Sequence, residues 1–136
     1  MIPQTLYTEM GIRAYGFHGT SHKYVSEKAS WYLENASAKI ITIHLGNGCS
    51  MAAIDWGKSV DTTMGFVLLS GLIMGTRSDD IDPSIIFHLV NQLGYSFDQV
   101  NTLLNKQSGM QSLTGFSDMR DILKAIASCD EEATLA

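Results

Sequence analysis

The 136-residue sequence predicts a mixed α/β protein in an α+β arrangement, with a small antiparallel sheet between groups of helices. Two observations predict this class. Apolar residues recur at helical spacing in residues 21–35, in 82–94, from about 96 onward and again after 118. Between the first two of these segments, three short runs rich in β-branched residues are separated by turn signals, a pattern typical of a β-meander.

The N-terminal part predicts one helix after an irregular segment. Residues 1–17 show no clear period and end in the aromatic-rich AYGFHG. A helix is then expected from about 21 to 35, with Thr20 or Ser21 as its N-cap. The apolar residues at helical spacing are Val25, Ala29, Tyr32 and Leu33.

Three strands are expected next, in residues 39–45, 50–55 and 58–64. The tetrapeptide DWGK between the second and third strands has the composition of a hairpin turn. A sheet of only three strands leaves its edges open unless another segment pairs with them. This indicates that the sheet is part of a larger one.

A long Gly-rich loop follows in residues 64–82, and loops of this length are often functional. Asp82 and Pro83 then have the residue types of an N-cap and a first helical position, and Gly94 can end that helix. The apolar face of this helix consists of Ile85, Ile86, Leu89, Val90 and Leu93.

Two more helices are expected towards the C-terminus. Ser96 and Gln99 match a capping box, and Val100, Leu103 and Leu104 supply the apolar face of that helix. The last helix starts near residue 118, and the chain is expected to end inside or just after it. Its apolar face is Met119, Ile122, Leu123 and Ile126, and the acidic residues 130–132 are expected to be a solvated face.

Composition excludes some functions. The net charge of −5 and the pI of about 5.1 argue against binding nucleic acid, although a phosphate site needs only local donors. No apolar run approaches the roughly 20 residues of a membrane span, and the N-terminus does not have the pattern of a signal peptide. Cys49 and Cys129 have neither metal nor disulfide spacing, so a reduced, cytoplasmic protein is expected.

Residues 44–50, HLGNGCS, lie between two predicted strands. Glycines let backbone N–H groups approach an anion, and Asn47 and Ser50 add side-chain donors. The alternative is a tight hairpin, since Asn-Gly is the preferred two-residue turn. Both interpretations are compatible, and the absence of GxxxxGK[ST] excludes a P-loop.

Histidines and arginines supply the other candidates. His18 and His22 are four residues apart, a spacing that suits a zinc pair, a hydrogen bond at the helix start, or an N–H aimed at a phosphoryl group. Arg77, in the Gly-rich loop, suits phosphate recognition or an ion pair with a nearby aspartate. The segment Ser117–Asp121 reads as an N-cap with an Arg/Asp surface pair.

These segments together resemble the acetate kinase family, which includes propionate kinases. The matching stretches occur in family order and cover nearly the whole chain. They are YGFHGTSHKYVS (15–26), HLGNGCSMAAIDWGKSVDTTMGF (44–66), SGLIMGTRS (70–78), IDPSI (81–85), NKQSG (105–109) and SDMRD (117–121).

The resemblance implies a partial ribonuclease-H-like domain of the superfamily of sugar kinases, actin and heat-shock ATPases. It implies reversible transfer of the γ-phosphoryl of ATP to acetate or propionate, giving acyl phosphate and ADP, with Mg²⁺. Family members are homodimers without nucleic-acid or membrane partners. The alternative is a non-catalytic structural or interaction module that keeps the phosphate-binding loop.

By match of motif, His18 and Arg77 resemble transition-state stabilisers. The nucleotide-binding residues implied are His44, Leu45, Gly46, Asn47, Gly48, Asp118, Met119 and Arg120. Phe17 and Leu68 correspond to walls of the acyl pocket. No metal ligand is implied within the chain, and residues 1–136 would be a single partial domain that opens the C-terminal half, without the N-terminal domain and the C-terminal end.

The chain departs from the family pattern at three places. MGFVLL stands where members usually read MGFTPL, so that Leu68 replaces a proline of the acyl pocket. Asp79 stands where the usual GTRSGD has a glycine, and its charge is expected to weaken the hold of Arg77 on phosphate. The run GFSDMRD is one residue shorter than usual, which changes the spacing of the adenosine segment.

Overall fold

The structure of the chain, a computed structural model, describes residues 2–136. Met1, where the resemblance places the start of the second half of an enzyme, lies outside the described residues. The chain divides into two compact units, of which the first ends at Gly71 and the second runs from Leu72 to Ala136. The expectation of a single partial domain stays a prediction.

The first unit contains two helices and three strands. They are α1 (Gln4–Thr8), α2 (Gly19–Tyr32), β1 (Lys39–Leu45), β2 (Cys49–Asp55) and β3 (Lys58–Thr62). The strands form one antiparallel sheet in the order β1-β2-β3, as the β-meander pattern predicts. Helix α1 corrects the expectation that residues 1–17 are irregular throughout; its five residues are too few to show a helical period.

Helix α2 covers most of the predicted segment but starts earlier than expected. Its N-cap is His18, in the left-handed conformation with φ 58° and ψ 25°, so Thr20 and Ser21 lie inside the first turn. The hydroxyl of Ser21 lies 2.9 Å from Nδ1 of His44, and is therefore engaged away from the helix end. The prediction of a Thr20 or Ser21 cap is wrong for this reason.

The face of α2 that is buried is polar, because the helix packs on β1 through His22 and Ser26, which are 5% and 3% exposed. The apolar residues that predicted the helix are largely solvent-exposed, with Tyr32 at 82%. A buried polar face requires hydrogen-bond partners, and the sheet below α2 supplies them.

The register of the sheet decides which side chains face α2. His44 pairs with Ser50 and Thr42 pairs with Ala52, so these four residues share one face. Along β2 burial alternates strictly, and Ser50 is 0% exposed. The opposite face of β1 is exposed and carries an apolar stripe of Ile41, Ile43 and Leu45.

The two hairpin turns differ. Trp56 and Gly57 connect β2 to β3 with φ of 51° and 71°, the pattern of a two-residue type I′ turn, which confirms the predicted DWGK turn. Residues 46–48 connect β1 to β2 as a three-residue loop without a positive φ. The hairpin itself is confirmed there, but the two-residue Asn-Gly turn is wrong because the register joins Leu45 to Cys49.

The second unit consists of helices. They are α3 (Ser84–Asn91), α4 (Phe97–Lys106), α5 (Gly109–Thr114), α6 (Met119–Ala127) and α7 (Glu131–Leu135). The segment 63–83 before them has neither helix nor strand, which confirms the long loop. None of the helices in the described part of the chain is long and apolar enough to cross a membrane.

Two predicted helix starts in this unit agree with the structure to within one residue. Oδ1 of Asp82 accepts from the N–H of Ser84 at 2.9 Å and from its hydroxyl at 2.8 Å, and both bonds lower the pKa of Asp82. The helix is assigned from Ser84 with Pro83 as N-cap, one residue later than expected. Both bonds of the Ser96–Gln99 capping box are present.

Helices α5 and α7 were not expected from the sequence. Cys129, with φ 62°, follows the end of α6, and Oδ1 of Asp130 then accepts from the N–H of Ala133 at 2.8 Å to cap α7. The acidic residues 130–132 are exposed, as expected, and Asp130 has the additional role of capping a helix that follows α6. Short helices escape a periodicity search because they contain too few turns.

Candidate functional site

Two histidines and two hydroxyls meet where α2 covers the sheet. Nδ1 of His18 and Nε2 of His22 each lie 2.8 Å from Oγ of Ser50. Nδ1 of His22 lies 2.8 Å from Oγ1 of Thr42. The left-handed conformation of His18 at the helix start and the inward position of Ser50 on β2 bring these groups together.

A third imidazole completes the cluster. The ring of His44 is stacked on that of His18, with centroids 4.0 Å apart and planes inclined by 18°. Nδ1 of His44 lies 2.9 Å from Oγ of Ser21, so α2 also fixes this ring. His18, His22, His44 and Ser50 together form a histidine cluster.

The electrostatics of the cluster favour a neutral His22. Burial lowers the pKa of its imidazole, and the nearby charge of His44 lowers it further. A neutral imidazole has one N–H donor and one acceptor nitrogen. His22 therefore serves as a fixed, uncharged relay between two hydroxyls.

The predicted phosphate loop begins next to this cluster. A Cβ atom placed on Gly46 would lie 3.5 Å from Nε2 of His44, so the loop and the stacked rings are immediate neighbours. The N–H of Gly46 donates to the carbonyl of Gly48 at 2.9 Å, which shapes the loop. Gly46 and Asn47 are exposed, and residues 46–48 contain no charged side chain.

His18 and His22 are not arranged as a pair of zinc ligands. The imidazoles of His18 and His22 converge on the Ser50 hydroxyl, with ring centroids 6.5 Å apart. Within residues 2–136, no three side chains of His, Cys, Asp or Glu are arranged to hold a metal ion. The predicted hydrogen bond at the helix start is also not formed, because His18 makes no side-chain cap bond and both rings bond to hydroxyls of the sheet.

Phe17 lines a cavity of about 220 Å³ in the first unit, together with Tyr15, His22 and Thr62. The residues around this cavity do not include Leu68, which is 39% exposed in the irregular segment. A shared acyl-pocket wall formed by Phe17 and Leu68 stays a prediction.

Arg77 belongs to the second unit and is half-buried. Its Nη1 donates to Sδ of Met74 at 3.3 Å. Gly109 packs tightly against the backbone of Met74 and Arg77. A Cβ atom at Gly109 would lie 2.2 Å from the carbonyl oxygen of Met74 and 2.6 Å from that of Arg77. Gly109 also has φ +65°, so the NKQSG motif supplies the glycine that this close approach requires.

The unusual aspartate of the loop also has a backbone explanation. Asp79 has φ 69°, a left-handed conformation in which glycine is at ease and aspartate is tolerated. The glycine that acetate kinases usually have at this position suits the same conformation. The effect of the Asp79 charge on Arg77 stays a prediction.

Asp118 and Arg120 show the local structure that the N-cap interpretation predicts. Oδ1 of Asp118 accepts from the N–H of Arg120 at 2.8 Å, and the guanidinium of Arg120 pairs with the same carboxylate. These bonds keep the pKa of Asp118 well below its ordinary range. Met119, on the first turn of α6, is 54% exposed, and the adenosine contact of this segment stays a prediction.

Sequence reasoning named His18 and His44 but missed how they are held. Ser21 was considered only as a helix N-cap, Thr42 received no role, and Ser50 was considered only as a donor to a ligand. A signal was available, because Thr42 and Ser50 are polar residues at inward positions of otherwise apolar strands. Buried hydroxyls at such positions indicate a buried polar partner.

Comparisons with known proteins agree with the fold and the motifs. The Acetokinase family model matches residues 1–136. The acetate kinase of Flavobacterium johnsoniae is 62% identical over 135 residues, which are 99% of this chain and 34% of that enzyme. The acetate kinase of Oleidesulfovibrio alaskensis is 53% identical over 137 residues, with the same coverage.

Solved structures agree as well. The crystal structure of a propionate kinase from Francisella tularensis matches with a TM-score of 0.95 and 49% identity, covering 98% of this chain and 35% of that chain. The crystal structure of Porphyromonas gingivalis acetate kinase matches with a TM-score of 0.92 and 43% identity, covering 98% and 34%. This chain thus spans about a third of the length of its relatives.

The helices and sheet therefore form part of a mixed α/β fold of the actin-like ATPase superfamily, which agrees with the ribonuclease-H-like expectation. The chain belongs to the acetokinase family, which confirms the resemblance seen in its motifs.

Proposed function

We propose that this chain provides part of the site of an acetate or propionate kinase. The reaction transfers the γ-phosphoryl of ATP to a short-chain carboxylate and gives acyl phosphate and ADP, reversibly. The observation that carries the proposal is the stacking of His18 on His44, beside the Gly46–Gly48 loop, of which Gly46 and Asn47 are exposed. This places an imidazole beside the loop that the motifs assign to the nucleotide phosphates.

The chemistry needs such an arrangement. Phosphoryl transfer depends mainly on positioning and on stabilising the charge that develops on the equatorial oxygens. In this proposal, the nucleotide phosphates accept from the backbone N–H groups of Asn47 and Gly48 and from the side-chain amide of Asn47. The N–H of Gly46 shapes the loop, and His18 donates to the phosphoryl group in transfer. The hydrogen bond to Ser50 and the stacking on His44 hold the ring of His18 rigidly, which limits reorganisation during the reaction.

Other residues receive roles by family membership. Arg77 contributes a guanidinium to the charge of the transition state, and Leu45, Asp118, Met119 and Arg120 contact the nucleotide. ATP requires Mg²⁺ in this chemistry, and the metal neutralises phosphate charge when bound. The described residues contain no group of three His, Cys, Asp or Glu side chains suited to a metal ion, so the proposed part of this chain is to bind and orient the phosphates.

The test uses a chimera that completes the enzyme. Residues 1–136 replace the corresponding third of the Flavobacterium johnsoniae acetate kinase, to which they are 62% identical. Acyl phosphate formed from ATP and acetate is trapped as hydroxamate, and propionate is compared under the same conditions. We expect turnover by the chimera and none by the 136 residues alone.

Variants of the chimera test the roles. His18→Ala is expected to lower kcat by about 10²–10³, the size for loss of one charge-stabilising donor, with a modest change in KM. Arg77→Ala is expected to lower kcat by at least as much. The matched control is His88→Ala, an exposed histidine of α3 outside the site. A His18→Ala chimera with unchanged kcat would remove His18 from the mechanism.

A direct binding experiment separates this proposal from a non-catalytic module. ATP·Mg is titrated into the ¹⁵N-labelled chain while the amide signals of residues 46–48 are followed. Shifts confined to this loop and its neighbours support a nucleotide site. No response at millimolar nucleotide, together with an inactive chimera, would favour the structural module.

The remaining parts of the proposal concern partners and location. The partners are small molecules, with ATP and a carboxylate in the forward direction, and neither nucleic acid nor a membrane is a partner. The complete enzyme is proposed to be a homodimer in the cytoplasm, where the free thiols of Cys49 and Cys129 stay reduced.

A further inference from the structure

We propose that Ser50 is a positioning residue that fixes His18 as the tautomer with its proton on Nδ1. The device is a directed chain of hydrogen bonds that runs from His18 through Ser50, His22 and Thr42 to the carbonyl of Ala52. The inference deepens the proposed function and rests on it in one respect only, namely that His18 donates to a phosphoryl oxygen.

We infer the direction of the chain from its far end. Oγ1 of Thr42 lies 3.4 Å from the carbonyl oxygen of Ala52, a long contact for a hydroxyl. Because that oxygen can only accept, a hydrogen bond there requires the single hydroxyl proton of Thr42 to point at it. Thr42 must then accept from Nδ1–H of His22 at 2.8 Å. Since His22 is buried and neutral, its Nε2 is an acceptor, and the hydroxyl of Ser50 donates to it at 2.8 Å.

The direction of the bond between Ser50 and His18 follows from counting the donors and acceptors of Ser50. A serine hydroxyl has one proton and two lone pairs, and the proton of Ser50 is committed to His22. The contact of 2.8 Å between Oγ of Ser50 and Nδ1 of His18 therefore has the imidazole as donor. Neutral His18 carries its proton on Nδ1, and a second proton can be added only at Nε2.

This assignment has a consequence for the chemistry. His18 can donate from Nε2 to a phosphoryl oxygen only as the imidazolium, and that donation is lost as pH rises and the ring deprotonates. The titratable groups around the ring include His44, stacked on it from β1, and His22, on α2 with its centroid 6.5 Å away. Cys49 lies next to Ser50 on β2, and burial raises the pKa of its thiol.

Ser50 suits this role by position as well as by chemistry. It is 0% exposed, it pairs with His44 in the sheet register, and the alternation of β2 turns it towards α2. A hydroxyl can donate to one imidazole and accept from another at the same atom. Ser26 offers a matched comparison, because it is also buried on this face but its hydroxyl donates to the carbonyl of Lys23 at 2.9 Å.

The test reads the tautomers directly in the 136-residue chain. Long-range ¹H–¹⁵N spectra of the imidazoles distinguish the protonated from the unprotonated ring nitrogen, and they are recorded without nucleotide at a pH where the rings are neutral. In the unmodified chain we expect both His18 and His22 to be protonated at Nδ1. A His18 protonated at Nε2 would overturn the inference without any variant.

Variants then test the chain of bonds. Ser50→Ala is expected to shift His18 towards the Nε2–H tautomer, whereas Ser26→Ala is expected to leave both histidines unchanged. Thr42→Val removes the acceptor of His22 and is expected to disturb both tautomers, and Thr42→Ser is expected to restore them. An unaltered His18 tautomer in a folded Ser50→Ala variant would overturn the inference. If that variant does not fold, the Thr42→Val and Thr42→Ser variants test the inference instead. Unaltered tautomers in Thr42→Val would contradict the inference.

The chimera separates the two proposals. An inactive chimera with the predicted tautomers would remove the proposed function alone. An active, His18-dependent chimera with the opposite tautomer would remove only this inference.

Discussion

The imidazoles of His22 and His44 meet edge to face, with ring centroids 6.4 Å apart, on the surface where α2 covers the sheet. His22 is 5% exposed and loses most of its contact with water, whereas His44 is half-buried and leads into the Gly46–Gly48 loop. Burial is the larger cause that lowers the pKa of His22, and the charge on His44 is the smaller one. The pKa of His22 therefore depends on its neighbour as well as on its burial.

The first prediction concerns this coupling. His44→Gln is expected to raise the pKa of His22 towards its ordinary value, because the repulsive charge is removed, without reaching that value, because burial remains. An NMR titration of the His22 ring measures the change. His88→Gln, at an exposed position on α3, is the control and is expected to have no effect. An equal titration curve for His22 in both variants would show that the coupling is absent.

The second prediction is a pH dependence of stability. The pKa of His22 is lower in the folded chain than the ordinary value of 6.5, so between these two values the unfolded chain binds a proton that the folded chain does not. Stability is therefore full above pH 6.5 and falls as the pH decreases towards the lowered pKa. The slope for one proton is at most about 1.4 kcal/mol per pH unit.

Urea unfolding at several pH values between 5 and 8 measures this dependence. The comparison is with His22→Gln, which cannot titrate and is expected to give a flatter profile even if it is less stable. A His22→Gln profile with the same slope as the unmodified chain would assign the effect to other groups.

The third prediction concerns the glycine behind Arg77. Gly109→Ala places a methyl group 2.2 Å from the carbonyl oxygen of Met74 and imposes φ +65° on alanine. Gly115→Ala is the matched control, because Gly115 has φ +78° but nothing lies within 4 Å of its added Cβ. The control is expected to lose about 1–2 kcal/mol for the left-handed conformation. Gly109→Ala is expected to lose a further 1–3 kcal/mol, about the cost of forced overpacking.

Urea unfolding of both variants measures the difference. Equal losses for Gly109→Ala and Gly115→Ala would mean that the backbone around Met74 and Arg77 yields without cost. In the chimera, Gly109→Ala is also expected to lower turnover, since displacing the Arg77 backbone moves the guanidinium.

The fourth prediction concerns Asp79. Because φ is 69° there, a β-branched residue is strained, and Asp79→Val is expected to lower stability by about 1–3 kcal/mol. Asp79→Gly accepts the same conformation and is expected to be the better tolerated of the two. Asp80→Val, at the exposed neighbouring position, is expected to stay within about 0.5 kcal/mol. Thermal unfolding ranks the three, and similar losses for Asp79→Val and Asp80→Val would contradict the strain argument.

Local patterns in the sequence were enough to predict the elements with strong signals. The strand run KIITIHL, the DWGK turn and the Ser96–Gln99 capping box each depend on residues close together in sequence, and the structure has all three. The long loop before α3 was also predictable, because Gly-rich composition and the Asp82–Pro83 start define its two ends.

The site was predictable in its parts and not in its connections. His18 and His44 are 26 positions apart, and nothing in a single sequence states that one ring stacks on the other. The buried face of α2 was missed because it is polar, and the hydrophobic period identified the solvent-facing side instead. What decides the site is long-range pairing in the sheet register, which places Ser50 opposite His44.

The apolar stripe on β1 has a practical consequence for every solution experiment above. Ile41, Ile43 and Leu45 are 72%, 51% and 77% exposed on an edge strand, whose unpaired backbone groups can template a strand from another molecule. Purified preparations of the 136 residues will thus gain sheet-to-sheet contacts as they are concentrated, and ¹⁵N linewidths should broaden with concentration. A lysine at position 43, introduced as Ile43→Lys, places a charge on that outer surface and should keep the sample dispersed.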